Sequence, residues 1–274
     1  MISPSGMRGP VLGVPRLRRW SLAELLLAGV LLALAGAAWL VTNRLSTPDM
    51  RVGILTGAQP MDEGMRPWPL DAALFLVTWV VMMAAMMLPS IVPFTVRMAR
   101  LLRARGAGGA RTIALIVGYF LVWTGMGAAS YLVLRGFEAI VVGPGVMAAR
   151  VGAVVLLAAG LYQLTPLKRV CLQHCRSPAL LLVHHGETAV RSRFGALRVG
   201  IGHGVYCIGC CWALMVVLLA AGVMSLVWMG VIAAVVAVEK VNRHGETISL
   251  VLGGLLVVLA LFLFVEPGVL AVLS

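Results

Sequence analysis

Seven stretches of this chain, at about 22–41, 71–96, 112–134, 146–164, 200–222, 223–238 and 248–265, are almost wholly apolar. A hydrocarbon core about 30 Å thick takes about 20 residues of helix, so most of these runs fit as membrane spans. The sixth is short and joins the fifth through Gly222-Val223-Met224-Ser225. One helix over 200–238 would be roughly twice the thickness of that core, so a tight helical hairpin is expected there. The expected fold class is an all-α polytopic membrane protein with about seven transmembrane helices.

The basic residues test this pattern independently. Arg8, Arg16, Arg18 and Arg19 precede the first run, and Arg97, Arg100, Arg103, Arg105 and Arg111 separate the second from the third. Lys168, Arg169, Arg176, Arg191, Arg193 and Arg198 lie between the fourth and fifth, and Lys240 and Arg243 between the sixth and seventh. Only Arg44, Arg51, Arg66, Arg135 and Arg150 fall in the alternate segments. This positive-inside bias places the N-terminus in the cytoplasm and supports the hairpin, both of whose ends are basic. With 61% hydrophobic and 12% charged residues, disorder and most soluble folds are excluded. The net charge of +12 sits in short segments between apolar runs, so the expected partner is the lipid bilayer and not nucleic acid.

Residues 1–21 read as a basic cytoplasmic tail and 22–41 as an uncleaved anchor. Its apolar stretch exceeds a signal peptide's core, and no convincing cleavage site follows. Loop 42–70, rich in Pro, Gly and acidic residues, reads as irregular. Residues 70–265 form the domain that carries the chemistry.

All five cysteines fall in two patches, each with a histidine. The first is Cys171-Leu-Gln-His174-Cys175, between Thr165-Pro166 and Ser177-Pro178, which reads as a short surface helix. The second, His203, Cys207, Cys210 and Cys211, has the spacing of one helix face and is expected in the first turns of the fifth span. The odd count and confined placement argue against a secreted disulfide framework. The patches can meet near the cytoplasmic interface, where four ligands satisfy tetrahedral Zn²⁺ and two or three thiolates suffice for Cu(I). Glycines at 200, 202, 204 and 209 let another helix approach closely.

The second span adds Met82, Met83, Met86 and Met87, two i,i+4 thioether pairs that suit Cu(I) and equally suit plain packing. Pro89 and Pro93 follow. Glu239, beside Lys240, is a candidate ligand or simply marks where water begins. His184, His185, Glu187, His244 and Glu246 lie in polar loops and read as solvated or weakly binding. No Ser-His-Asp set, phosphate loop or intramembrane carboxylate pair points to an ordinary enzyme.

The chain resembles the family of predicted metal-binding integral membrane proteins, formerly a domain of unknown function. Named members of that family are similar to the membrane copper chaperone that accompanies bacterial polyphenol oxidases. The resemblance covers roughly 70–265. It is carried by Met82-Met83-Ala-Ala-Met86-Met87-Leu-Pro89-Ser90, Tyr162-Gln163-Leu-Thr165-Pro166-Leu-Lys168, Cys171-Leu-Gln-His174-Cys175-Arg176-Ser-Pro178, Gly204-Val-Tyr206-Cys207-Ile-Gly209-Cys210-Cys211-Trp212-Ala-Leu-Met215 and Glu239-Lys240. It implies copper handling in a bacterial inner membrane and delivery to an apo-cuproenzyme or another copper-handling protein; the residues alone imply a soft metal or thiols. Two other readings stay open: a thiol–disulfide carrier using Cys207-Ile-Gly-Cys210 at a helix start, and an assembly protein stapled by zinc.

Overall fold

The computed structural model describes residues 20–45, 67–140, 146–176, 186–221 and 225–266. Most of the N-terminal tail, most of loop 42–70, Ser177-Pro178, His184, His185 and Gly222 to Met224 therefore lie outside the described residues. Every regular element among the described residues is a helix: α1 (Leu22–Leu45), α2 (Trp68–Ala104), α3 (Gly109–Ile140), α4 (Val146–Gln163), α5 (Pro166–Arg176), α6 (described over 186–191), α7 (Arg193–Ala221), α8 (Leu226–Val241) and α9 (Gly245–Val265).

Five of them, α1, α2, α3, α7 and α9, are long and apolar enough to cross a membrane, and α4 with α5 makes a sixth candidate if counted as one bent span. This is a membrane protein. Large apolar side chains such as Leu25, Leu32 and Leu40 of α1 and Val251, Leu255, Val258 and Phe262 of α9 stay exposed, a belt that lipid covers. The expected sixth run forms α8, only 16 residues and about 24 Å long, which falls short of the bilayer core by itself.

Two local devices shape the site. Pro166 cannot continue the ladder of α4, so the chain bends by 64° into α5. Thr165 marks the new start, its hydroxyl accepting from the Lys168 backbone N–H at 3.3 Å. Along α7, a side chain at Gly200 would run into the Leu115 carbonyl and one at Gly204 into Val122, so α3 and α7 cross with backbones nearly touching. Gly202, expected on this face, has nothing within 4 Å, because it turns away from α3.

The helices differ in length, and that difference places the site. Helices α2, α3 and α7 run far beyond their apolar runs and share a small second core of Phe94, Met98, Leu102, Leu115, Ala196 and Val199. Helix α4 ends at Gln163, α8 ends at Val241 and α9 begins at Gly245, all level with the middle of α7. Three contacts fix that level: Tyr162 Oη donates to the Gly209 carbonyl at 2.5 Å, Lys240 reaches Cys207, and Ser249 Oγ lies 3.3 Å from Gln163 Oε1. At the same end of the bundle, Arg100 clamps the buried Glu24 of α1 through two bonds of 2.5 and 2.6 Å.

Candidate metal centre

Helix α7 starts at Arg193, so Cys207 stands at its midpoint and not in its first turns. The sequence placed the helix start at the apolar run, but the Arg-bearing turn before it is helical too. The sulfur cluster sits at the level where α4 and α8 end and α9 begins, while α2, α3 and α7 continue past it. The helix dipole, which acts within the first turn, does not reach it.

Cys207 and Cys210 are three residues apart on α7 and fully buried. Helix α5 lies across them and brings Cys175. The three Sγ atoms lie within 4.8 Å of one another, with Cys175 and Cys210 at 3.6 Å. Sulfurs sharing one metal at about 2.3 Å are roughly 3.8–4.6 Å apart, so this group needs little adjustment to close on an ion. Among the described residues no fourth Cys, His or carboxylate joins it. Three thiolates suit Cu(I), which accepts two or three; a closed tetrahedral zinc site would lack a protein ligand.

The other predicted ligands go elsewhere. Cys211 Sγ donates to the Cys207 carbonyl at 2.9 Å, and Cys171 is buried against Gly209. His174 stacks on Tyr206 with an interplanar angle of 4° and 4.4 Å between centroids, its Nδ1 2.8 Å from the Val170 carbonyl. His203 lies between Phe94, stacked at 4.0 Å, and Tyr119 at 5.8 Å. Both histidines sit within a turn of the sulfurs, yet ring packing holds them outside the cluster.

Glu239 also stands outside this group in the structure. Its carboxylate pairs with Lys168 Nζ at 2.7 Å, both side chains 2% exposed, and Lys168 also donates to the Cys210 carbonyl. Its sequence neighbour Lys240 turns the other way and donates to Cys207 Sγ at 3.2 Å and Ser90 Oγ at 3.2 Å. Ser90 bonds back to the Met87 carbonyl at 2.8 Å, so the methionine stretch of α2 stands about one turn from the cysteine level. Met82, Met83, Met86 and Met87 are all buried in the main core with Cys207, Cys210 and Cys211. Glu246 ties down α5, accepting from Gln173 at 2.9 Å and lying 3.5 Å from Arg169; Arg176 donates to the Asn242 carbonyl. Glu187 faces solvent beside Arg191.

Sequence reading missed Tyr119, whose hydroxyl lies 3.1 Å from Cys207 Sγ. One tyrosine in a long apolar helix carried no signal. Lys168 was visible as a basic residue after the Thr-Pro break and as the end of a motif that carries the resemblance, but with no sign of its partner.

The seating of α5 depends on Gly209, where an added Cβ would stand 2.5 Å from Cys171 Sγ. Gly209→Ala is expected to lift α5, costing about 1–3 kcal/mol as overpacking and carrying Cys175 off the α7 pair. A chelator competition should find its metal affinity lowered to that of Cys175→Ser; wild-type affinity would show that α5 seating does not matter.

A model of the PpoB2 family, described as a copper chaperone, matches residues 76–263. No curated protein and no solved structure matches the chain.

Proposed function

Because the chain belongs to the PpoB2 copper chaperone family, we propose that it carries Cu(I) as cargo on Cys175, Cys207 and Cys210 and passes it to an apo-cuproenzyme or another copper-handling protein. The observation that carries this reading is the group of three sulfurs within 4.8 Å, built from two separate helices. Transfer needs ligands that exchange. Cys207 and Cys210 ride on one rigid helix, whereas Cys175, the half-buried member, comes from α5 and is the ligand placed to let an incoming donor attach.

Met82, Met83, Met86 and Met87 form a second station along α2: thioethers hold Cu(I) without needing to lose a proton in a membrane interior. The positive-inside pattern supports a cytoplasmic N-terminus and a place in a bacterial inner membrane. The mid-helix position of Cys207-Ile-Gly-Cys210 takes the helix dipole out of the thiol–disulfide reading.

The test is the metal content of the detergent-purified full chain after loading with Cu(I) or Zn²⁺ against a competing chelator. One equivalent of Cu(I) is expected. Zinc retained in preference, with unfolding on its removal, would replace the proposal by a zinc staple. No metal and a reversible two-electron thiol titration would replace it by thiol–disulfide exchange.

A further inference from the structure

Two lysines approach the sulfur group, and only one is neutralised. Lys168 has the Glu239 carboxylate at 2.7 Å. For Lys240, among the described residues, no Asp or Glu oxygen lies within 4.0 Å. Its ammonium meets a hydroxyl, Ser90 Oγ, and a sulfur, Cys207 Sγ, each at 3.2 Å. A half-buried cation with no carboxylate beside a cluster of thiols leaves a charge for the site to balance.

We propose that Lys240 is the fixed countercharge of the metal–thiolate unit. This rests on the copper reading above and adds the residue that sets affinity. A monovalent ion on the three thiolates of Cys175, Cys207 and Cys210 carries two net negative charges, and the Lys240 ammonium cancels one of them. Without that cation the anionic unit would stand alone among apolar side chains, where an unpaired charge is costly. Lys168 cannot serve, since its charge is already balanced by Glu239. The step is ligand association without change of oxidation state: the S–H bonds of the ligating thiols break, their protons pass to solvent, and metal–sulfur bonds form, so no electron donor is needed. Ser90 is a positioning residue, holding the ammonium from the α2 side.

The experiment compares wild type, Lys240→Arg and Lys240→Met in the full detergent-purified chain. Cu(I) affinity is read by chelator competition, and thermal unfolding is followed without metal. Lys240→Met is expected to bind Cu(I) about 10- to 100-fold more weakly, the range for partners one step removed from a metal. Lys240→Arg should recover most of that loss. The metal-free Lys240→Met protein should be at least as stable as wild type, because a charge without a carboxylate partner has been removed. Unchanged affinity in Lys240→Met would overturn the proposal. So would a loss matched by lower metal-free stability that arginine does not rescue, since that marks a packing role. Cu(I) failing to bind wild type would overturn the copper reading itself, a separate result.

Discussion

Replacing Cys207 and Cys210 together by serine is expected to abolish stoichiometric Cu(I) binding, a loss of at least about 4 kcal/mol or roughly a thousandfold. That bound is scaled from structural zinc sites, where roughly 10–16 kcal/mol is shared among a few ligands. The two sulfurs are the part of the site that a single helix fixes, so no rearrangement of α5 restores them. Cys175→Ser removes the ligand from the movable helix and leaves two thiolates, enough for a linear Cu(I) site, so its effect should be smaller. Cys171→Ser and Cys211→Ser should leave affinity at the wild-type level, because their sulfurs stand outside the group. Serine suits the test at 210: its hydroxyl can donate to the Cys207 carbonyl, as the thiol does at 3.1 Å. Helical content by circular dichroism checks that the bundle survives. One equivalent of Cu(I) retained by the double variant would sink the assignment.

The sequence disclosed the cysteine pattern because helical periodicity is local. Offsets of three and four residues fix which side chains share a face, whatever lies opposite. The Thr-Pro break before α5 was equally legible, since proline denies the preceding helix its next bond. What lies opposite is set by tertiary packing, which local spacing does not report. His203 has the right spacing to Cys207, yet its ring faces Phe94 and Tyr119, residues 109 and 84 positions earlier in the chain. Glu239 and Lys240 are adjacent in sequence, but neighbours on a helix point about 100° apart, so they take different partners. Lys168, the true partner of Glu239, is 71 residues away. Helix ends were misjudged for another reason: hydropathy marks where lipid stops, while the arginine-rich turns of α2 and α7 continue as helix beyond it.

That pair yields the second large effect. Lys168 and Glu239 are the bolt between α5 and α8, buried together at 2% side-chain exposure and 2.7 Å apart. Removing one partner leaves the other as a buried charge. Glu239→Leu or Lys168→Met alone should therefore cost about 3–5 kcal/mol, enough to unfold much of the protein in detergent. The double variant Lys168→Met, Glu239→Leu removes both charges at similar volume and should recover most of that loss, or exceed wild type by about 1–4 kcal/mol. The carbonyl of Cys210 tolerates the change, since it lies within α7, where helix bonding satisfies it. Thermal unfolding of the four proteins measures the coupling directly. Single variants as stable as wild type, or a double variant as weak as the two losses combined, would show that the pair is not the bolt. The same set of variants separates fold from chemistry. If Lys168 and Glu239 only seat α5, the double variant regains copper affinity along with stability. Lys240 behaves in the opposite way, because its removal spares the fold and weakens the metal.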